Sequence, residues 1–207
     1  MTTNRADLMP EQPSGGLAVP AASQCIYTSC YCEENVWKLC EIVRACQPEL
    51  LPHCFVAFVS NHRQAVPIWC QKSSSRADGM SVWDYHVIFL YRPPVRGPCL
   101  VYDLDTTLGF PEEFDTYVRD AFRPHVGINP EFAQMFRVVG AAEFLDKFAS
   151  DRSRMRSADG TWLKPPPPYP CIQTNSCDNN IEEFISVDEA VGVGKVYTLG
   201  QFVQRFS

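Results

Sequence analysis

Val82-Trp83-Asp84-Tyr85-His86-Val87-Ile88-Phe89-Leu90-Tyr91 reads as one strand, rich in β-branched and aromatic side chains, with a histidine set among apolar residues. Alternation places Asp84, His86, Ile88 and Leu90 on one face and Trp83, Tyr85, Val87 and Phe89 on the other. The turn-rich connector Arg92-Pro93-Pro94-Val95-Arg96-Gly97-Pro98 leads to a second run, Cys99 to Leu104, so the two form a hairpin. Cys54 to Val59, Val66 to Cys70 and Phe136 to Val139 are further strand-like runs. Between and before them, Glu33 to Cys46, Pro111 to Phe122 and Ala141 to Phe148 carry helical signals. The expected fold is α/β of the α+β kind: a largely antiparallel sheet flanked by helices.

A hairpin centred near residues 94 to 95 brings His86 opposite Asp103 or its neighbour. Asp103 and Asp105 share a face, and either could accept a ring N–H of His86. Asp103 lies deeper in an apolar run, where a carboxylate is costly without a partner. Asp105, beside Thr106 and Thr107, also suits a turn or capping residue. Spacing alone leaves both open.

A thiol completes the set. Cys32 lies at the threshold of the Glu33 to Cys46 helix, where the helix dipole lowers a thiol pKa and directs a backbone N–H towards a developing oxyanion. Cys25 lacks that placement. Cys30-Tyr31-Cys32 could be half of a metal site, but no second compact Cys or His pair follows, so no metal is expected. Thiol, imidazole and carboxylate in the order Cys, His, Asp are the requirements for nucleophilic acyl chemistry.

The rest of the chain sets bounds. Its 207 residues, 45% hydrophobic, suit one domain with a sizeable core, and a net charge of -6 offers no basic surface for nucleic acid. No apolar run is long enough to span a bilayer and the first residues lack a signal-peptide core, so neither membrane insertion nor secretion is expected. Ten cysteines in a reducing compartment are then mostly free, with Cys40, Cys54, Cys70 and Cys99 read as small buried hydrophobes. Residues 1–22, with Pro10, Pro13, Gly15, Gly16 and Pro20, read as a disordered tail, and 23–207 as a single catalytic domain. Pro165-Pro166-Pro167-Pro168-Tyr169-Pro170 reads as extended polyproline II, either strapped over the domain itself or offered to a partner.

With these residues in view, the chain resembles the protein N-terminal glutamine amidohydrolase family, for which Trp83-Asp84-Tyr85-His86-Val87 is the naming motif. Further matches are Ser29-Cys30-Tyr31-Cys32-Glu33-Glu34-Asn35, Pro67-Ile68-Trp69, Tyr102-Asp103-Leu104-Asp105-Thr106, Phe114-Asp115-Thr116-Tyr117, Phe148-Ala149-Ser150-Asp151-Arg152-Ser153, Pro165 to Cys171 and Val196-Tyr197-Thr198-Leu199. The resemblance implies a core similar to papain-like and transglutaminase-like folds. It also implies a monomeric, cofactor-free enzyme of the cytosol and nucleus that deamidates N-terminal glutamine of proteins and peptides. The product would feed the N-degron pathway, with transient contact to the arginylation machinery. Carried over by motif, Cys32 is the nucleophile, His86 the base and Asp103 the orienting carboxylate, in preference to Asp105.

Two residues are candidates for reading the substrate's α-ammonium: Glu34, within one helical turn of Cys32, and Asp84, on the strand face of His86. Transglutaminase-like or protease-like acyl transfer would use the same triad, and a noncatalytic adaptor presenting the polyproline segment is the alternative from another class.

Overall fold

The computed structural model describes residues 16–207. Its core is a six-stranded antiparallel sheet in the order β6-β5-β4-β1-β7-β8. The strands are β1 (Cys54–Ser60), β4 (His86–Tyr91), β5 (Leu100–Tyr102), β6 (Glu112–Glu113), β7 (Met135–Gly140) and β8 (Lys195–Thr198). A separate ribbon pairs β2 (Val66–Ile68) with β3 (Ser81–Trp83). The helices are α1 (Cys32–Cys46), α2 (Phe114–Tyr117), which runs on into a π-helical turn over Val118–Phe122, α3 (Ala141–Lys147), α4 (Ile181–Ile185) and α5 (Leu199–Phe206).

All six residues of β4 are buried because the sheet is covered on both faces. Val87, Phe89 and Tyr91 point to a core with α1, α3 and α4, and Ile88 and Leu90 to one with α2 and α5. α1 buries Val36, Leu39, Cys40 and Val43 against the first of these, which fixes its first residue, Cys32, beside the start of β4. Among the described residues no helix is long and apolar enough to cross a membrane. All ten cysteines carry free thiols.

The sheet bears out the α/β expectation, with corrections that matter locally. The run Val82 to Tyr91 is not one strand: it leaves the ribbon after Trp83 and joins the main sheet at His86. The break is held by Asp84, whose Oδ1 accepts the Tyr85 N–H at 3.0 Å and whose carbonyl accepts the Ser60 hydroxyl at 2.7 Å. The expected alternation therefore holds from Tyr85 onward but fails at Trp83, which turns back to stack on His86, ring centroids 4.9 Å apart.

The single helix expected over Pro111 to Phe122 begins later, because Glu112 and Glu113 pair with β5. α4, β8 and α5 fall where no element was expected. Cys70 is half-buried in the left-handed backbone region (φ 56°), while Cys40, Cys54 and Cys99 are buried as expected.

Residues 16–22 do not belong to a disordered tail. Leu17 and Val19 are buried in the α1 core, and Gln47 ties the segment down by accepting the Ala18 N–H at 2.5 Å and donating to the Gly16 carbonyl at 3.2 Å. Two apolar side chains are enough to dock a short segment if its backbone groups find partners. The remainder of that expectation, residues 1–15, lies outside the described residues.

Candidate active site

β4 and the turn after β5 bring His86 and Asp103 together. Extending the Phe89↔Tyr102 ladder sets His86 across from position 105, yet its Nε2 reaches diagonally to Asp103 Oδ1 at 2.9 Å. Both oxygens of Asp103 are engaged: Oδ1 also accepts the Asp105 N–H at 2.9 Å, and Oδ2 accepts the Tyr117 hydroxyl at 2.7 Å. Burial pushes the Asp103 carboxyl up, but the His86 charge and these hydrogen bonds outweigh it and hold it below the usual carboxylate range. For His86, burial favours the neutral ring, and the Asp103 charge and hydrogen bond overcome it to raise the pKa.

Opposite an ionised carboxylate, Nε2 carries the proton. The other ring nitrogen, Nδ1, is buried without a hydrogen-bond partner.

Cys32 is 6% exposed and lies in the core cluster that holds Val87, the residue after His86. The sequence-based expectation of a lowered thiol pKa is reversed here. Burial, then the neighbouring Glu33 carboxylate and the field of Asp105, raise it well above its ordinary value, and the Val87 N–H offsets only part of that. A helix end cannot offset full desolvation beside a carboxylate. Glu33, whose Oε2 is 3.6 Å from the Cys32 sulphur and accepts the Tyr85 hydroxyl at 2.9 Å, is pushed up to about 7 by burial.

Glu34 and Asp84 are both occupied. Glu34 is fully buried and accepts both guanidinium arms of Arg152, at 2.7 and 2.8 Å. Arg152 also donates to the carbonyls of Pro167, Tyr169 and Pro170 and lies over the Tyr169 ring. The polyproline segment is thus strapped onto its own domain behind α1. Asp84 Oδ2 accepts from Arg154 at 2.9 Å on the rim of the site, with its side chain 53% exposed.

Cys32 opens into a cavity of about 570 Å3 walled by Cys30, Trp83, Tyr85 and Arg154. A second cavity of about 500 Å3 shares Cys30 and Trp83 and is lined on its far side by Tyr27 and Asp105. Ligand atoms of His86, Asp103 and Asp105 lie within 4.8 Å of one another, a spacing that could suit a metal ion. The chemistry of this set favours another use, because the imidazole and Asp103 are engaged with each other and Tyr117. Sequence reasoning missed Glu33, Tyr117 and Tyr27, and left Asp105 between a partner for His86 and a turn or capping residue. The signal for Tyr117 was available in Phe114-Asp115-Thr116-Tyr117, which was matched but given no role.

The family model described as N-terminal glutamine amidase matches residues 27–206, spanning the thiol, imidazole and carboxylate just described. The chain belongs to this family. It is 49% identical over 189 residues to protein N-terminal glutamine amidohydrolase of Homo sapiens, covering 91% of each chain. The Bos taurus relative of that name is 48% identical over 190 residues, 92% of this chain and 91% of its own. The Drosophila melanogaster one is 49% identical over 187 residues, 90% and 91% respectively.

Proposed function

We propose that this amidase-family chain deamidates the side chain of an N-terminal glutamine through a Cys32-His86-Asp103 triad and a glutamyl thioester. The observation that carries the reading is the buried, partnerless Nδ1 of a histidine whose Nε2 is fixed by Asp103, with a single buried thiol at the head of α1 beside the next residue's N–H.

The resting thiol is held protonated by burial and Glu33. When the γ-carboxamide enters, His86 Nδ1 takes the thiol proton as sulphur attacks the amide carbon, and the Cys32 backbone N–H steadies the oxyanion. The imidazolium returns the proton to the departing ammonia. Water then enters, His86 takes its proton, and the thioester opens to a glutamate terminus and a free thiol. Asp103 and Tyr117 keep the ring in the required tautomer throughout. Every step is carried by groups of this chain and water.

On this reading the glutamate terminus is then arginylated and read as a degradation signal. The enzyme works as a monomer in the cytosol and nucleus, meeting the arginylation machinery transiently; its ten free thiols suit a reducing compartment. The reading is tested by ammonia release from a peptide beginning with Gln. Peptides with acetyl-Gln, with Gln second, or with N-terminal Asn should release little, the last because one methylene fewer retracts the amide from sulphur. Comparable release from the internal-Gln peptide would favour a general glutaminase or transglutaminase instead.

A further inference from the structure

Asp105 is a buried carboxylate that the chemistry above leaves unused. It is 6% exposed, and its Oδ1 accepts the Tyr27 hydroxyl at 2.6 Å. The other acids around the site are spoken for: Asp103 by His86, Glu34 by Arg152 and Asp84 by Arg154. Glu33 lies under Tyr85 and lines neither large cavity. Asp105 has no ion-pair partner among the described residues. The two cationic groups whose charge reaches it are directed elsewhere: His86, the stronger, gives Nε2 to Asp103 at 2.9 Å, and Lys72 gives its ammonium to the Leu104 carbonyl at 2.9 Å. A nearly buried carboxylate that faces a cavity without a cation is costly unless a ligand brings one.

The substrate of the proposed reaction brings one. In an extended N-terminal glutamine the α-ammonium lies four bonds, about 5 Å, from the amide carbon that the thiolate attacks. Asp105 stands beside His86, its field reaches the Cys32 sulphur, and its cavity meets that of Cys32 at the shared wall of Cys30 and Trp83. We infer that Asp105, positioned by Tyr27, binds the α-ammonium of the substrate's first residue and so confines the enzyme to chain termini. The inference rests on the terminal-glutamine reading and adds the residue that enforces it. An internal glutamine would present a neutral amide there and leave Asp105 buried and unpaired, which penalises it twice.

The test uses the full-length enzyme and two peptides, one beginning with Gln and one identical but with the α-amine replaced by hydrogen. Ammonia release gives kcat and KM for each, and iodoacetamide alkylation of Cys32 reports the nucleophile without any ammonium. The wild-type enzyme should prefer the amine peptide by about 10- to 100-fold in kcat/KM, the worth of one charged hydrogen bond. Asp105→Asn should shrink that preference to a few-fold, through a raised KM for the amine peptide, with alkylation no slower. Tyr27→Phe should weaken the preference in the same direction, and gives the answer should Asp105→Asn fail to fold. Equal losses with both peptides would overturn the assignment and leave Asp105 a support for His86. A preference unchanged by Asp105→Asn but lost in Glu33→Gln would pass the role to Glu33. A wild-type enzyme that ignores the α-amine would sink this inference and the terminal-glutamine reading together.

Discussion

His86 presents Nε2 to Asp103 at 2.9 Å and keeps Nδ1 without a partner, although the whole ring is buried. Buried polar atoms rarely stay unsatisfied in a folded protein, and of the five such side-chain atoms among the described residues this is the only basic nitrogen. The arrangement divides labour between the two nitrogens: one is fixed and the other is held ready.

The carboxylate's part can be isolated. Asp103→Asn should lower kcat by about 1,000-fold or more, because an amide can donate to Nε2 and hold the opposite tautomer. Tyr117→Phe removes one of the hydrogen bonds on Asp103 and should cost roughly 10-fold in rate and about 1–3 kcal/mol in stability. Steady-state kinetics with urea unfolding checks both, and full activity in Asp103→Asn would remove the residue from the triad.

Glu33 offers a prediction of opposite sign. Burial pushes its carboxyl up to about 7 from the ordinary 4.5, so between those values the folded state holds a proton that the unfolded chain has lost. That contribution is fully present below pH 4.5 and is lost as pH rises to 7, a change of roughly 3 kcal/mol. Glu33→Gln should therefore gain on the wild type as pH rises from 4.5 to 8, measured by unfolding at each pH. Removing its charge should also move Cys32 alkylation to lower pH, since that charge helps raise the thiol. A pH-independent stability difference would refute this account of Glu33.

The pH dependence of turnover follows from the thiol and imidazole titrating as a pair. Both are raised above their ordinary values, and the productive form has one proton fewer than thiol plus imidazolium. Activity should rise with pH through a limb lying above 6.5, the ordinary value for histidine. It should fall again as the substrate's α-ammonium deprotonates near pH 8. A rate profile centred well below 6.5 would contradict the raised pair.

The strap has its own test. Glu34 and Arg152 form a bidentate ion pair with side chains 0% and 5% exposed, so Glu34→Gln or Arg152→Met leaves a buried charge or empties its place. Each should cost about 3–5 kcal/mol in unfolding free energy. Arg152→Met should also increase proteolysis around Pro167–Pro170, where the Pro167, Tyr169 and Pro170 carbonyls lose their donor. Unchanged stability would mean that the strap is held by Pro167 burial, the Tyr31 hydroxyl on the Lys164 carbonyl and Lys38 over the Tyr169 ring instead.

How much of this was legible beforehand varies by residue. Strand periodicity located His86 and narrowed its partner to Asp103 or Asp105, between which the family resemblance chose, and helix spacing put Cys32 at the head of α1, because burial patterns repeat along the chain. The break at Asp84-Tyr85 was invisible, since composition does not record when a strand changes sheets. Tyr85 continues the apolar run while its neighbour Trp83 turns back onto His86. Glu34 and Glu33 are adjacent and alike in sequence; only the distant Arg152 decides which one is neutralised and which one faces sulphur. That Asp105 holds Tyr27, and is neither the partner of His86 nor a cap, was hidden because Tyr27 is 78 positions away.

Cys32 and its neighbour Cys30 line the same cavity, and the proposed mechanism gives the attack on the amide to Cys32 alone. The most direct measurement incubates a Gln-initiated peptide with the wild type, Cys32→Ala and Cys30→Ala, following free ammonia and the mass of the product. The expected result is equimolar ammonia and a glutamate-initiated product with the wild type, much of that activity with Cys30→Ala, and neither ammonia nor product with a folded Cys32→Ala. Deamidation by Cys32→Ala at a rate near that of the wild type, with Cys30→Ala dead, would contradict it.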